Sequence, residues 1–231
     1  DEVIENIGTI ARSGTASFLE NITGDEKKDS NLIGQFGVGF YSVFMVADKV
    51  QVISKSALND KDEGTFWEST GEDKYKIKSV EKINNGTEIH IFLNDDNTEF
   101  ADIGRVRFLL EKYSQYINFP LYISDGKDTN ERVNEAEALW LKSKRSIKDE
   151  EYKEFYKFIS FDQDDPLLWI HNKVEGKNEY TNLVYIPSKP PFDLWNRESP
   201  RGLKLYIQRV FIMDDASNFL PLYLRFLRGV I

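Results

Sequence analysis

The sequence contains no cysteine and only two histidines, His90 and His171, among its 231 residues. Without cysteine the chain can form neither a disulfide framework nor a thiolate zinc site. The two histidines are far apart in sequence, so a histidine-based metal site is not expected. His90 lies in an alternating strand pattern, and His171 is interpreted as a loop or strand residue. We therefore predict no metal ligand within this chain.

Long apolar runs are also missing. No run approaches the ~20 residues that a membrane-spanning helix needs, and no signal-peptide pattern opens the chain. The formal net charge is −9, and an acidic chain repels the phosphate backbone of nucleic acids. We expect a cytoplasmic protein with neither nucleic acid nor membrane among its partners. Because neither end resembles a natural terminus, we also expect a fragment.

The most informative stretch that is present is Gly34–Phe40, which carries three glycines in six positions directly before the apolar run 41–47. Glycines before a helix leave backbone N–H groups free, add the positive end of the helix dipole and allow close approach. That chemistry suits a phosphate. The spacing matches neither the Walker nor the Rossmann pattern. The alternative is a glycine-rich hinge before a buried helix.

Periodicity predicts an α+β layer sandwich for the first part of the chain. Helical spacing indicates helices over residues 1–12 and 98–117, and strands are predicted over residues 49–55, 64–69, 75–80, 87–93 and 120–124. Between Gly8 and Gly39, short helices alternate with glycine and polar joints. That composition suits a segment that moves, and the alternative is an ordinary surface loop.

A polar, charged stretch over residues 125–135 predicts a linker between two domains, 1–124 and 136–231. The second domain begins with the segment 136–140. Its pattern predicts a helix over 147–159, strands over 183–186 and 203–212, and a final helix-like apolar run after Asp214 and Asp215.

Several stretches together resemble the heat-shock protein 90 (Hsp90) chaperones. In the first part these are residues 6–15, 33–42 and 46–50, and in the second part they are residues 150–156, 174–176, 185–188, 191–195 and 205–215. The matches follow the family's order over essentially the whole chain. The short linker is similar to that of the family's bacterial form.

This resemblance implies a Bergerat-type (GHKL) ATP-binding α/β sandwich that is incomplete at its N-terminus, followed by the first α/β part of a middle domain. It implies an ATP-dependent chaperone of the heat-shock response, in which ATP binding and hydrolysis drive closure of a lid and of a dimer. The lid would be the segment Gly8–Gly39. Partners would be ATP or ADP, unfolded client proteins, and a second copy held by a C-terminal domain absent from this chain.

Two other classes remain open. One is a nucleotide-independent protein-binding module with a degenerate pocket. The other is a different ATPase of the same superfamily, such as a histidine kinase, which is disfavoured because no phospho-acceptor histidine helix is visible. An upstream glutamate–asparagine helix and a D-x-G-x-G motif in the full-length parent would favour the ATPase.

The resemblance also assigns nucleotide-contacting positions. Asn6 corresponds to a residue near the ribose and phosphates, Phe40 to an aromatic wall of the pocket, and Thr87 to the threonine that helps to hold adenine. The base of the lid corresponds to Arg12, Ser13 and Gly14, and the phosphate loop to Gly34, Gln35, Phe36, Gly37, Val38 and Gly39. The alternatives are a solvated charge for Arg12, a core residue for Phe40 and a surface hydroxyl for Thr87.

The family's catalytic groups have no counterpart here. Its general-base glutamate, its magnesium-holding asparagine and its adenine-reading aspartate would all lie upstream of Asp1, and an arginine that reaches the γ-phosphate would lie downstream of Ile231. We therefore assign no catalytic residue and no ligand for Mg²⁺. Hydrolysis needs an oriented water, a metal and charge stabilisation together, so this chain alone should be a poor ATPase or none.

Clients would meet the middle domain. Trp140, Trp169 and Trp195 are candidate contacts, because an exposed tryptophan offers a large apolar area to an unfolded partner. We favour Trp140 and the loop Phe192–Trp195, and the alternative is that these rings lie in the core.

Overall fold

The computed structural model describes residues 2–8, 33–34, 37–126, 130–176, 179–191, 194, 196, 202–214 and 219–231. These residues divide into two compact units, Asp1–Val106 and Arg107–Ile231. The described part contains the helices α1 (Glu2–Ile7), α2 (Ile103–Ser114) and α3 (Asp149–Ser160). Helices beside mainly antiparallel sheets confirm the predicted α+β class.

The sheet of the first unit consists of β1 (Ala47–Lys55), β2 (Glu63–Ser69), β3 (Tyr75–Glu81) and β4 (Gly86–Leu93). Its order is β3-β2-β1-β4, and every neighbouring pair is antiparallel. All four strands begin and end within two residues of the predicted ranges. Alternating apolar side chains joined by turns gave a strong local signal here.

The core of the first unit lies on one face of this sheet. Its buried members are Ala47, Val50, Val52 and Trp67. Val52 lies opposite Trp67 on β2, so these two side chains share a face. The face is covered by α1 and by the 3₁₀ helix Gly39–Met45. These two helices contribute the side chains that pack against the core, namely Val3, Ile7, Phe40, Val43 and Phe44.

The helix predicted over 98–117 is split in the structure. A 3₁₀ helix spans Asp95–Ala101, with non-helical backbone at Asn97, and α2 begins only at Ile103. The Asp102 carboxylate accepts a hydrogen bond from the Arg105 backbone N–H at 2.7 Å. This bond satisfies one of the free N–H groups that every helix start presents, and it fixes where α2 begins.

The second unit contains a sheet of five strands in the order β10-β9-β11-β8-β7. The strands are β7 (Leu168–Val174), β8 (Tyr180–Ile186), β9 (Leu203–Ile207), β10 (Val210–Met213) and β11 (Arg228–Val230). Pairing is antiparallel except between β11 and β9, which run parallel. Short 3₁₀ helices span Leu139–Leu141, Lys144–Ser146 and Leu222–Leu224.

Two predictions for this sheet were wrong. The single strand predicted over 203–212 is a hairpin, β9–β10, whose two-residue turn consists of Gln208 and Arg209 at φ 49° and 67°. The predicted final helix is replaced by the 3₁₀ helix 222–224 and by β11. At Gly229, a Cβ would lie 2.2 Å from the Leu183 carbonyl oxygen, so only glycine fits this central strand.

The core of the second unit is formed where α3 packs on the sheet. Its buried residues are Tyr116, Ala138, Leu139, Trp140, Ile147, Tyr152, Tyr156, Ile159, Leu183, Tyr185 and Val230. Buried tyrosines need partners for their hydroxyl groups. Tyr185 donates to the Tyr152 carbonyl at 2.9 Å, and Tyr156 donates to Asp162 at 2.8 Å. Burial raises the pKa of Tyr156 to about 12.

A small hairpin precedes this core. β5 (Tyr122–Ile123), within the strand predicted over 120–124, pairs with β6 (Glu131–Arg132), which lies in the range predicted as a linker. Val133 and Asn134, which follow β6, are buried. The two compact units separate between Val106 and Arg107, and the predicted domain limits at 124 and 136 stay a prediction.

None of the helices in the described ranges has both the length and the hydropathy of a membrane span.

Candidate functional site

Within the stretch Gly34–Phe40, called here the glycine segment, the backbone changes direction at Gly37 and then enters a helix. Gly37 has φ 65°, a conformation that favours glycine, and the 3₁₀ helix begins two residues later at Gly39. The first turn closes when the Tyr41 N–H donates to the Val38 carbonyl at 3.2 Å. A Cβ at Gly39 would meet no atom within 4 Å. The chain's own packing therefore does not require glycine at position 39.

Tyr41 holds this helix against α1. Its hydroxyl donates to the Ile7 carbonyl at 2.6 Å across 34 residues of sequence. Ile7 ends α1, where helix carbonyls lack intrahelical partners, so the bond satisfies one of them. The two ends of the segment between Gly8 and Gly39 are thus joined. Tyr41 could not be identified from the sequence, because nothing in a local pattern marks a long-range hydroxyl partner.

Phe40 lies half-buried in an aromatic cluster of the first unit. Its ring meets Trp67, Tyr41 and Phe44 edge-on, with centroid separations of 5.8, 5.8 and 6.3 Å. This placement agrees with the core alternative that the sequence left open for Phe40.

Asn6 and Thr87 lie on different elements of the first unit. Asn6 is exposed on α1, and Thr87 is exposed near the start of β4. The Thr87 and Ser54 hydroxyl oxygens are 2.7 Å apart in a hydrogen bond between neighbouring strands. Phe40 and the helix that carries Asn6 pack on the same core. No described contact joins Thr87 to either of them. The adenine-binding role of Thr87 stays a prediction.

Several predicted positions fall outside the described residues. These are Arg12, Ser13, Gly14, Gln35 and Phe36 in the first part and Phe192 and Trp195 in the second. Gly34 and Val38 are described and exposed.

The described residues offer a partial fit to a nucleotide phosphate. Gly37 has the backbone conformation of a tight turn, and the open space beside Gly39 permits a ligand to approach the main chain. Among the residues that the structure describes, no group of three or more histidine, aspartate or glutamate side chains could hold a metal ion.

Trp140 is not available as a client contact in this structure. It is only 3% exposed, and its ring packs against Tyr116 and Tyr206 at centroid separations of 4.8 and 4.9 Å. The exposed surface that we expected is absent because Trp140 fills the aromatic core beneath α3. Trp169 stacks on Tyr152 at 5.3 Å and is half-buried.

A buried histidine network links α3 to the sheet. The Tyr152 hydroxyl and His171 Nδ1 are 2.8 Å apart, and His171 Nε2 is 2.8 Å from the Trp140 carbonyl oxygen. A carbonyl only accepts, so Nε2 carries the proton and Nδ1 accepts from the tyrosine. Burial lowers the pKa of His171, and the nearby Lys144 lowers it further, against the opposing effect of the Trp140 carbonyl.

The second unit also contains a cavity of about 630 Å³ between α2, the end of α3 and the β9–β10 hairpin. Its lining combines aromatic rings with basic and acidic side chains, among them Phe108, Lys112, Phe161, Lys204 and Asp214. Burial lowers the pKa of Lys204, although Asp214 acts in the opposite direction.

Comparison with known proteins places this geometry in context. The family model described as Hsp90 protein matches residues 123–231. A chaperone protein HtpG from Serratia proteamaculans is 56% identical over 236 aligned residues, covering all of this chain and 38% of the relative. HtpG proteins from Photorhabdus laumondii and Escherichia coli K12 are 55% and 54% identical, with the same coverage.

The chain thus spans 38% of the length of these relatives. The chain therefore carries an Hsp90 protein family domain over residues 123–231, and over its whole length it is similar to bacterial HtpG chaperones.

Proposed function

We propose that the intact protein containing this chain is an ATP-dependent molecular chaperone that assists the folding of client proteins. The observation that carries the proposal is the 54–56% identity over the whole chain to relatives that are each named a chaperone. Proteins this similar share a fold and the side chains that serve it. Because the chain spans 38% of those relatives, the proposal concerns the intact protein.

The first unit would be part of a Bergerat-type nucleotide-binding sandwich, and the second the start of a middle domain. An antiparallel sheet with helices on one face supports the first assignment. The family match to residues 123–231 supports the second. In this arrangement the segment Gly8–Gly39 would close over ATP.

The glycine segment would hold the phosphates through its main chain. Backbone N–H groups at the start of a helix attract an anion, and Gly37 and Gly39 bring no side chain between them and a ligand. When bound, ATP would supply the phosphoryl group and Mg²⁺ the positive charge for the hydrolysis that drives closure of the lid and of the dimer. This chain's residues would bind and orient the phosphates, and the metal's ligand would lie outside the chain.

Isothermal titration calorimetry of the intact protein with ATP tests this role. Gly39→Val is the sharpest variant, because a side chain there meets no protein atom, whereas Gly37→Val would also strain a backbone at φ 65°. A valine side chain in the path of a phosphate should weaken ATP binding at least tenfold, with little change in thermal stability.

Gly176→Val is a matched control, since a Cβ at Gly176 also meets nothing within 4 Å and the residue lies in the second unit. It should leave ATP affinity unchanged. Equal ATP affinities for the Gly39→Val variant and the unsubstituted protein would argue against the phosphate role.

A nucleotide-independent protein-binding module is the second candidate. Two observations favour it: Phe40 packs into the core, and the Thr87 hydroxyl already has Ser54 as a partner. The candidates separate in the same titration, because a module with a degenerate pocket would bind clients and show no heat with ATP.

Partners would be ATP or ADP and unfolded or partly folded clients, with a homodimer formed through a C-terminal domain outside this chain. The protein would act in the cytoplasm during the heat-shock response.

A further inference from the structure

β7 is one of the two outer strands of the five-stranded sheet, and its outer edge is unusual. β7 pairs with β8 along its whole length, from Leu168 opposite Ile186 to Val174 opposite Tyr180. On its other side it has no strand partner among the described residues. Half of its backbone hydrogen-bonding groups therefore face outward, and such an edge is a template for another chain.

The side chains of β7 alternate strictly between the two faces of the sheet. Trp169 and His171 point toward α3, where each contacts Tyr152. The opposite face presents Leu168, Ile170 and Val174, which are 40%, 49% and 37% exposed. Together with Asn172, these side chains carry no charge. A complementary partner is therefore neutral and apolar on alternate residues.

Proteins usually protect an edge strand with a bulge, charged side chains, proline or short length. β10, at the other edge of this sheet, has four residues and a bulge between Phe211 and Met213. In the first unit, edge strand β3 carries Lys76, Lys78 and Glu81, and edge strand β4 alternates its isoleucines with Glu88 and His90. Each of these edges is protected.

β7 has none of these protections over most of its length. It contains no proline, its pairing with β8 has no register shift, and its one charged residue, Lys173, lies near its end and pairs with Glu175 at 3.1 Å. A regular strand of seven residues, whose single charged side chain lies near its end, is the kind of edge that accepts an added strand.

The size of this edge argues against a second copy as the occupant. Seven residues extend over about 23 Å at ~3.3 Å each. One added strand of that length covers a strip well below the ~1,200 Å² that a stable protein–protein interface buries. Main-chain pairing of this extent suits a transient partner that is already extended.

We propose that β7 binds extended, apolar segments of non-native polypeptides as an added strand, with main-chain hydrogen bonds giving affinity and Leu168, Ile170 and Val174 selecting alternate apolar residues. This inference rests on the proposed chaperone function, and it names the surface that meets the client. It replaces Trp140, which is buried, with a surface that recognises an extended backbone and accepts many sequences.

Fluorescence anisotropy of the intact protein without nucleotide tests the proposal. The probe is a fluorescein-labelled, nine-residue peptide in which valine and threonine alternate between terminal lysines. A second peptide carries the same side chains with its interior backbone nitrogens methylated, so that it cannot donate to a strand. We expect the methylated peptide to bind at least tenfold more weakly.

Ile170→Lys places a charge on the exposed face of β7 and should also weaken binding of the unmodified peptide at least tenfold. Ile212→Lys is the matched control, because Ile212 is 44% exposed on the protected strand β10. It should leave binding within twofold. Thermal unfolding checks that both variants fold. If Ile170→Lys does not fold, the methylated peptide still tests the edge on the unsubstituted protein.

Four outcomes overturn the proposal. Equal binding of the methylated peptide means that main-chain pairing is not used, and equal binding by Ile170→Lys places the peptide elsewhere. Absence of peptide binding means that the intact protein covers β7 with its own chain. A concentration-dependent dimer that Ile170→Lys abolishes makes a second copy the occupant. ATP titration is separate, so failure of the nucleotide role leaves these results unaffected.

Discussion

Tyr41 joins two parts of the first unit that local sequence patterns cannot connect. Its hydroxyl satisfies the Ile7 carbonyl at the end of α1, while the neighbouring Phe40 ring packs on the core. The bond fixes the 3₁₀ helix against α1, and both elements flank the segment that we propose as the lid.

Tyr41→Phe should lower the free energy of unfolding of the first unit by about 1 kcal/mol, because the Ile7 carbonyl loses its donor. Amide hydrogen exchange of α1 should speed up accordingly. Tyr122→Phe is the control, since Tyr122 is exposed. Unchanged exchange in α1 after Tyr41→Phe would mean that the bond contributes nothing to its stability.

His171 makes the stability of the second unit depend on pH. Burial lowers its pKa in the folded state below the value of about 6.5 of an unfolded chain. The unfolded state therefore binds the proton more tightly. The stabilising contribution is complete above about pH 6.5 and is lost as the pH falls from there through the lowered native pKa.

Urea unfolding at pH 7 and pH 5 should show this loss, and His171→Asn, which keeps an acceptor for the Tyr152 hydroxyl, should show a smaller one. His90→Asn is the control, because His90 is the other histidine and lies exposed on β4. The same loss in His171→Asn as in the unsubstituted protein would contradict the assignment.

At the scale of elements, Asn134 organises the turn between α2 and β5. Its Oδ1 accepts from the Leu121 N–H at 2.8 Å, and its Nδ2 donates to the carbonyls of Ile117 and Phe119 at 3.2 and 2.8 Å. One buried side chain thus satisfies three backbone groups, which explains why a polar stretch folds into the second unit.

Asn134→Ala should destabilise the second unit by about 3 kcal/mol, because three backbone groups lose their partner at once. The exposed Asn130 provides the comparison, and Asn130→Ala should stay within about 0.5 kcal/mol. Urea unfolding followed by tryptophan fluorescence measures both. Equal effects of the two substitutions would show that the Asn134 bonds are dispensable.

Elements with a strong local signal could be predicted from the sequence, and those set by tertiary contacts could not. β1 to β4 alternate clearly and end at turns. The β9–β10 turn uses Gln208 and Arg209 at positive φ without glycine or asparagine, so no turn signal was visible. β11 has three residues and is a strand only because it lies between β8 and β9.

For the candidate site, local composition predicts the glycine segment, but it does not predict the partners of the residues there. The bond from Tyr41 to Ile7 and the burial of Trp140 both depend on contacts between residues more than 20 positions apart. The edge of β7 emerged only with the order of strands, which a single sequence does not specify.

At the scale of the whole molecule, the two units would divide the work, the first binding nucleotide and the second meeting clients. In the assignment proposed above, the general base, the magnesium ligand and the arginine that reaches the γ-phosphate would lie outside these residues. Hydrolysis needs all of these contributions together.

The isolated chain should therefore show no ATPase activity above background in a coupled phosphate-release assay, whereas the intact protein should hydrolyse ATP. Circular dichroism of the isolated chain must first show folded α+β structure. Hydrolysis by the purified chain at the rate of the intact protein would mean that residues within it supply the catalytic groups.

The position of β11 in its sheet has a consequence for synthesis on the ribosome. Its residues Arg228–Val230 follow β7 to β10 in the sequence, yet they separate β8 from β9. The hairpins β7–β8 and β9–β10 emerge first and have no hydrogen-bonded connection until this strand leaves the exit tunnel. The sheet is therefore completed only when β11 has emerged, and until then Leu183 and Leu203 lack the neighbours that Val230 and Gly229 provide.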